Sequence, residues 1–133
     1  MFLVDANVLL DVVLDDPVWA PWSADALATS RRVGLLFINI IVFAEVAAGL
    51  EQRALVEAAL PVTEFGREDI PWEAGYLAGR AHSVYRQRGG ARTTTLPDFF
   101  IGAHASIRGY TLITRDATRY RTYFPELAIV APS

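Results

Sequence analysis

An ionised carboxylate set in an apolar stretch needs a cation, a hydrogen-bond network or a proton, because burying it bare is costly. Four carboxylates of this chain stand in that position. Asp5 ends the run Met1-Phe2-Leu3-Val4, and Glu45 lies inside the apolar segment Ile38 to Leu50. Asp98 stands between Leu96-Pro97 and Phe99-Phe100-Ile101, and Asp116 follows Tyr110-Thr-Leu-Ile-Thr-Arg115. Basic neighbours are scarce; only Arg115 adjoins one of the four. A shared cation is the economical partner, and a set of oxygen ligands suits Mg²⁺ or Mn²⁺.

Each acid also has a local alternative. Asp98 comes three residues after Thr95, which resembles a capping box, and Asp116 precedes a short helix it would cap. Asp5 would close a strand-to-helix turn by an Asx hydrogen bond. Glu45 sits mid-helix, where neither cap nor turn applies, and a buried pair with an arginine is its alternative. Asn39 and Asn7 read as local caps unless a metal is present. His82 and His104 lie in apolar helical stretches and read as packed neutral side chains, not ligands.

The elements that must position these groups follow from periodicity. Phe2-Leu-Val is a short buried strand, with a turn or short helix from Ala6. Asp15-Asp16-Pro17 opens a helix over 18–32, and Gly34 to Ile38 is a second strand. Asn39 caps a helix over 40–48 that Gly49 ends, and 51–60 is a further helix stopped by Pro61. An edge strand is expected at 62–65. Asp69-Ile-Pro71 opens a long helix to about Arg88, closed by Gly89-Gly90. Residues 91–95 form a loop, 96–108 a helix and 111–114 a strand; a short helix and a last strand at 127–130 follow. Trp19, Trp22, Trp72, Phe99 and Phe100 are expected in the core. Continuous apolar strands alternating with helices imply an α/β fold with a parallel sheet covered on both faces. In such sheets the crevice lies beyond the carboxyl ends of the strands, where Asp5 and Asp116 fall.

The 133 residues fit one domain, and 53% hydrophobic with 20% charged residues is globular rather than disordered. The lack of cysteine removes disulfides and thiolate sites and agrees with a reducing, cytoplasmic setting. No basic region precedes the first apolar run, so no signal peptide is expected. The 18-residue stretch Val33 to Leu50 holds Asn39 and Glu45, which argues against a membrane span. Charge is divided: residues 1–73 carry 12 acids and 4 arginines, whereas residues 74–133 carry 3 acids and 8 arginines. All 12 basic residues are arginine. That asymmetry suggests contact with a polyanion, and arginine's planar fork suits phosphate.

Leu3-Val4-Asp5-Ala6-Asn7, the isolated Glu45, Leu96-Pro97-Asp98-Phe99-Phe100-Ile101-Gly102-Ala103-His104-Ala105 and Leu112-Ile113-Thr114-Arg115-Asp116 resemble the motifs of PIN-domain ribonucleases. Within that family the likeness is to the VapC-type toxins of toxin–antitoxin pairs, and it spans essentially the whole chain as a single PIN domain over 1–133. The resemblance implies a Rossmann-like three-layer α/β/α fold with a central parallel sheet. It implies a Mg²⁺- or Mn²⁺-dependent endoribonuclease whose pocket is Asp5, Glu45, Asp98 and Asp116, supported by Asn7 and Thr114. Homodimers and a cognate antitoxin that enters the active-site groove are implied with it. Cleavage would proceed by in-line attack of metal-activated water, leaving a 5′-phosphate and a 3′-hydroxyl. Arg80, Arg86, Arg88, Arg92 and Arg115, with Arg119 and Arg121, would form a rim that tracks the RNA phosphates.

Three rivals remain in view. An aspartyl-phosphate or receiver domain needs a lysine at the phosphoryl group, and the chain has none. A non-catalytic PIN-like module would keep the acids for binding a partner protein or RNA. A nuclease acting on DNA differs only in the 2′-hydroxyl, which no residue visibly reads.

Overall fold

The computed structural model describes residues 1–90 and 96–133. The expected loop at 91–95, with Arg92 and the capping residue Thr95, lies outside them.

Five short apolar segments form strands: β1 (Phe2–Val4), β2 (Leu36–Ile38), β3 (Gly66–Arg67), β4 (Thr111–Ile113) and β5 (Ile129–Val130). All pair in parallel, in the order β3-β2-β1-β4-β5. Leu3, Val4, Ile38, Leu112 and Ile113 are completely buried, as a sheet covered on both faces requires. The helices are α1 (Ala6–Val13), α2 (Ala20–Val33), α3 (Ile40–Leu50), α4 (Arg53–Ala59), α5 (Trp72–Gln87), α6 (Leu96–Arg108) and α7 (Thr118–Tyr123). They flank the sheet in the three-layer α/β/α arrangement. The chain runs outward through β2 and β3 on one side of β1, then returns to build β4 and β5 on the other. The order therefore reverses between β1 and β4, and a crevice opens beyond their carboxyl ends.

Four local expectations change. The helix expected from Val18 begins at Ala20, because Asp16 Oδ1 accepts from the amides of Val18 and Trp19 and holds a turn there. Gly49 does not end α3, which runs through it to Leu50 and turns at Glu51 with φ 66°. A Cβ at Gly49 would stand 2.8 Å from Leu10 Cδ2, so this glycine serves the close approach of α1 and α3. The edge strand forms at Gly66–Arg67, after a turn over 62–64. Trp72 is not core: at the first turn of α5 it is 96% exposed, close to the 75% exposed Tyr76. Phe99 is buried as expected, and Trp22 and Phe100 pack partly buried against the core. Among the described residues no helix is long and apolar enough to cross a membrane.

Candidate metal centre

A cavity of about 400 Å³ lies beyond the carboxyl ends of β1 and β4, lined by Asp5, Asn7, Glu45, Asp98, Asp116 and Arg119 among others. All four acids singled out from the sequence reach it from separate elements. Asp5 follows β1, Glu45 projects from the middle of α3, Asp98 from the first turn of α6, and Asp116 from the β4–α7 connection. Their burial is unequal. Asp5 is 5% exposed, Glu45 and Asp98 are half-buried, and Asp116 is exposed, so it does not share the burial expected of the four.

Asp5 is the most tightly held. Its Oδ1 accepts from the Ala6 amide at 2.8 Å, making it the cap of α1. Its Oδ2 accepts from the hydroxyls of Thr114 at 2.8 Å and Tyr120 at 3.0 Å, both buried. The local-cap reading of Asp5 is thus true and incomplete, since two long-range donors also fix the other oxygen. Thr114 Oγ1 in turn accepts from the Asp116 amide at 3.2 Å and, at 3.4 Å, from Asn7 Nδ2. Asn7 Oδ1 accepts from the Arg115 amide. Thr114 and Asn7 therefore brace the first acid against the loop that carries the last. Asp116 does not cap α7, whose capping position is Ala117 without a side-chain bond.

Electrostatics follow from this crowding. Burial pushes Asp5 up to about 6, aided by the Asp98 charge and opposed by its hydrogen bonds. Burial pushes Glu45 up to about 7, with Asp5 and Asp98 adding like-charge repulsion. Asp98 is also raised by burial, although the Arg119 guanidinium pulls it the other way. The Tyr120 hydroxyl is held well above its usual range by burial and by Asp5, so it remains a donor.

The arginines divide differently from expectation. Arg115, proposed from sequence as a phosphate contact, places Nε 2.8 Å from Asp11 Oδ2 and Nη2 3.2 Å from Oδ1. Its guanidinium also lies over Trp19. Arg80, Arg86 and Arg88 are exposed on and just after α5 and do not line the acidic cavity. Arg119 does line it, with Nη1 2.8 Å from Asp98 Oδ2.

Two buried networks escaped the sequence reading. Asp11, 4% exposed, accepts from Arg115 and from Ser23 Oγ at 2.8 Å, tying α1 and α2 to the β4–α7 connection. His104, completely buried, joins Asn39 and Glu68. Asn39 Oδ1 accepts from the Val42 amide, so its Nδ2 donates to His104 Nδ1. His104 Nδ1 therefore accepts, and Nε2 donates to Glu68 at 3.0 Å. Glu68 also accepts from Arg108 and from Tyr110. His104 thus packs away from the four cavity acids, as its helical spacing from Asp98 implies.

Do the acids suit a divalent ion? Among the described residues no three acidic or histidine side chains already form a closed ligand set. Asp98 is turned toward Arg119, with Oδ2 2.8 Å from Nη1. The donor chemistry nevertheless fits: hard carboxylate oxygens from four elements face one cavity. Among the described residues Glu45 Oε1 is buried without a hydrogen-bond partner, a state that a cation would relieve.

A family model described as the PIN domain matches residues 2–125. Among solved structures, VapBC2 from Rickettsia felis bound to a promoter DNA fragment matches at 17% identity and TM-score 0.76, covering 99% of this chain and 98% of that one. A toxin–antitoxin complex from Klebsiella pneumoniae matches at 21% identity and TM-score 0.74, covering 100% and 98%. The Mycobacterium tuberculosis toxin VapC20, which cleaves the sarcin–ricin loop, matches at 15% identity and TM-score 0.68, covering 92% and 95%. At these identities the likeness is one of fold. Curated protein sequences give no match.

Proposed function

The chain belongs to the PIN domain family, and from that premise we propose that it is a Mg²⁺- or Mn²⁺-dependent endoribonuclease, the VapC-type toxin of a toxin–antitoxin pair acting in the cytoplasm. The observation that carries this reading is Glu45 Oε1, buried and unpartnered on the wall of a cavity it shares with Asp5, Asp98 and Asp116. A divalent ion entering the cavity would supply the counter-charge that this oxygen lacks among the described residues.

Asp5, Glu45 and Asp98 would hold the ion and Asp116 would complete the set. When bound there, a divalent ion supplies water activation and neutralises the phosphodiester oxygens. The chain's own part is positioning. Thr114 and Tyr120 fix one oxygen of Asp5 and the Ala6 amide the other, so its approach to the cavity is set before ligands arrive. Thr114 also fixes the Asp116 amide, which links the two strand ends that bear acids. The exposed Arg80, Arg86 and Arg88 supply phosphate contacts beyond the cavity.

RNA as substrate, a cognate antitoxin and a homodimer belong to the same proposal, with residues 1–133 acting as one PIN domain. The exposed Trp72 and Tyr76 offer an aromatic surface of the kind that partner chains cover. Induced expression of wild type and Asp98→Asn, followed by mapping of RNA 5′ ends, tests the activity. New 5′-phosphorylated ends are expected with wild type alone. Equal ends from both proteins, or none from wild type, would leave a binding module in place of an enzyme.

A further inference from the structure

Arg119 is the one basic side chain lining the acidic cavity among the described residues. It comes from the first turn of α7 and is 38% exposed, against 31% for its partner Asp98. The contact is single-pronged: Nη1 meets Asp98 Oδ2 at 2.8 Å. The guanidinium carbon also lies 5.4 Å from the centroid of the Tyr85 ring.

Arg115 shows what a structural arginine looks like here. It grips Asp11 with two nitrogens, and Asp11 is almost wholly buried. Removing Arg115 would strand the buried charge of Asp11. Arg119 has neither feature. Its pair with Asp98 is part-exposed and of the class in which side-chain entropy and solvent offset most of the Coulomb gain. A divalent ion at the same carboxylate brings twice the charge without ordering a long side chain. Asp98 Oδ2 would therefore pass from the arginine to the ion. The released guanidinium keeps the Tyr85 face as a rest. Its donor fork stays beside the acids, where it matches two oxygens of a phosphodiester.

We propose that Arg119 is a substrate-positioning residue of this site, held on Asp98 until a divalent ion takes that carboxylate and then turned to the RNA phosphate. This rests on the metal-dependent nuclease reading and names a residue for it that the four acids do not require. It also agrees with the open arrangement of the acids among the described residues: the chain supplies a provisional cation of its own.

The test uses the full chain as wild type, Arg119→Gln and Arg119→Lys. Mn²⁺ binding is followed by calorimetry without RNA. Binding of a mixed-sequence single-stranded RNA is then followed by fluorescence anisotropy with Ca²⁺ in place of Mg²⁺. Freeing Asp98 should make Arg119→Gln bind Mn²⁺ about two- to fivefold more tightly, the size of a part-exposed ion pair. The same variant should bind RNA roughly tenfold or more weakly, the scale of a hydrogen bond to a charged group. Arg119→Lys keeps the charge without the fork, so Mn²⁺ affinity should match wild type while RNA affinity falls. A merely structural arginine would lower both affinities in Arg119→Gln together, and that outcome overturns the proposal. Tighter Mn²⁺ with undiminished RNA binding overturns it also, leaving an inhibitory contact alone. A wild type that binds no Mn²⁺ sinks the metal reading itself, a different failure from unchanged Mn²⁺ affinity in Arg119→Gln.

Discussion

Asp11 and Glu45 are two acids of similar origin with opposite fates. Both sit mid-helix among apolar residues, Asp11 in Val8-Leu9-Leu10-Asp11-Val12-Val13 and Glu45 in Phe43-Ala44-Glu45-Val46-Ala47. The fold answers Asp11 fully: a bidentate arginine and a serine hydroxyl converge on it, from residues 104 and 12 positions away in sequence. Glu45 keeps a buried oxygen with no partner among the described residues, and burial, with repulsion from Asp5 and Asp98 added, pushes it up to about 7. Burial alone therefore does not separate scaffold from site. What separates them is whether the fold supplies the counter-charge, since a half-satisfied buried acid is destabilising and persists only where a ligand completes it.

The sharpest way to break this comparison is to neutralise each acid. Glu45→Gln keeps the shape and removes the repulsion. RNA cleavage should fall at least about a thousandfold, roughly 4 kcal/mol of transition-state stabilisation, while the melting temperature of the metal-free protein holds or rises. Asp11→Ala should do the reverse. It strands Arg115 and Ser23, and a loss of about 2–4 kcal/mol in denaturant unfolding is expected, below the full cost of a broken buried pair because Arg115 is part-exposed. Metal affinity per folded molecule should hold. If Asp11→Ala abolished Mn²⁺ binding in folded protein, or Glu45→Gln unfolded it, the two acids would have exchanged roles.

Titration sharpens the contrast. In the unfolded chain Asp5 and Glu45 ionise near 3.8 and 4.5; in the fold burial raises them to about 6 and about 7. An acid raised by folding favours the folded state while protonated. The metal-free protein should therefore be most stable below about pH 4 as far as these two are concerned, and lose that contribution as pH climbs to about 7. The loss is on the order of 3 kcal/mol for the buried Asp5, and the half-exposed Glu45 adds a smaller, solvent-screened share. Saturating Mg²⁺ or Mn²⁺ should oppose it, because the ion binds the ionised forms. Melting curves at pH 5 and pH 8, with and without metal, decide the matter. A metal-free protein that melts higher at pH 8 in Glu45→Gln's absence, that is with both acids intact, contradicts the assignment.

How much of this was legible beforehand follows the same division. The strands and helices were readable because short apolar runs and capping residues such as Asn39 act locally. The four acids were readable because each interrupts an apolar segment. Asp11 interrupts one in the same manner and was passed over; the same rule would have found it. Its partner was not readable, since Arg115 stands beside Asp116 in sequence but pairs with Asp11 across the fold. The pairing of Asp98 with Arg119 and of His104 with Asn39 and Glu68 likewise needs the closed sheet to bring residues together. Gly49 misled because a glycine late in a helix signals an end, whereas here packing against Leu10 sets its identity. Trp72 misled because size suggests burial, while the chain leaves it on the outer face of α5.

Tyr120 gives the smallest and most local test. Its hydroxyl donates to the Asp5 oxygen that Thr114 also holds, and both bonds favour the ionised carboxylate. Tyr120→Phe removes one of them and leaves the ring in place, so the fold should lose only about 1 kcal/mol. Asp5 should then titrate above its value of about 6. The acid limb of the cleavage profile, measured at sub-saturating Mn²⁺, should move upward by roughly 0.5–1 pH unit. The alkaline side should stay where it is, because Tyr120 keeps its proton throughout. An unmoved acid limb would mean that Thr114 alone sets Asp5 and that Tyr120 contributes packing.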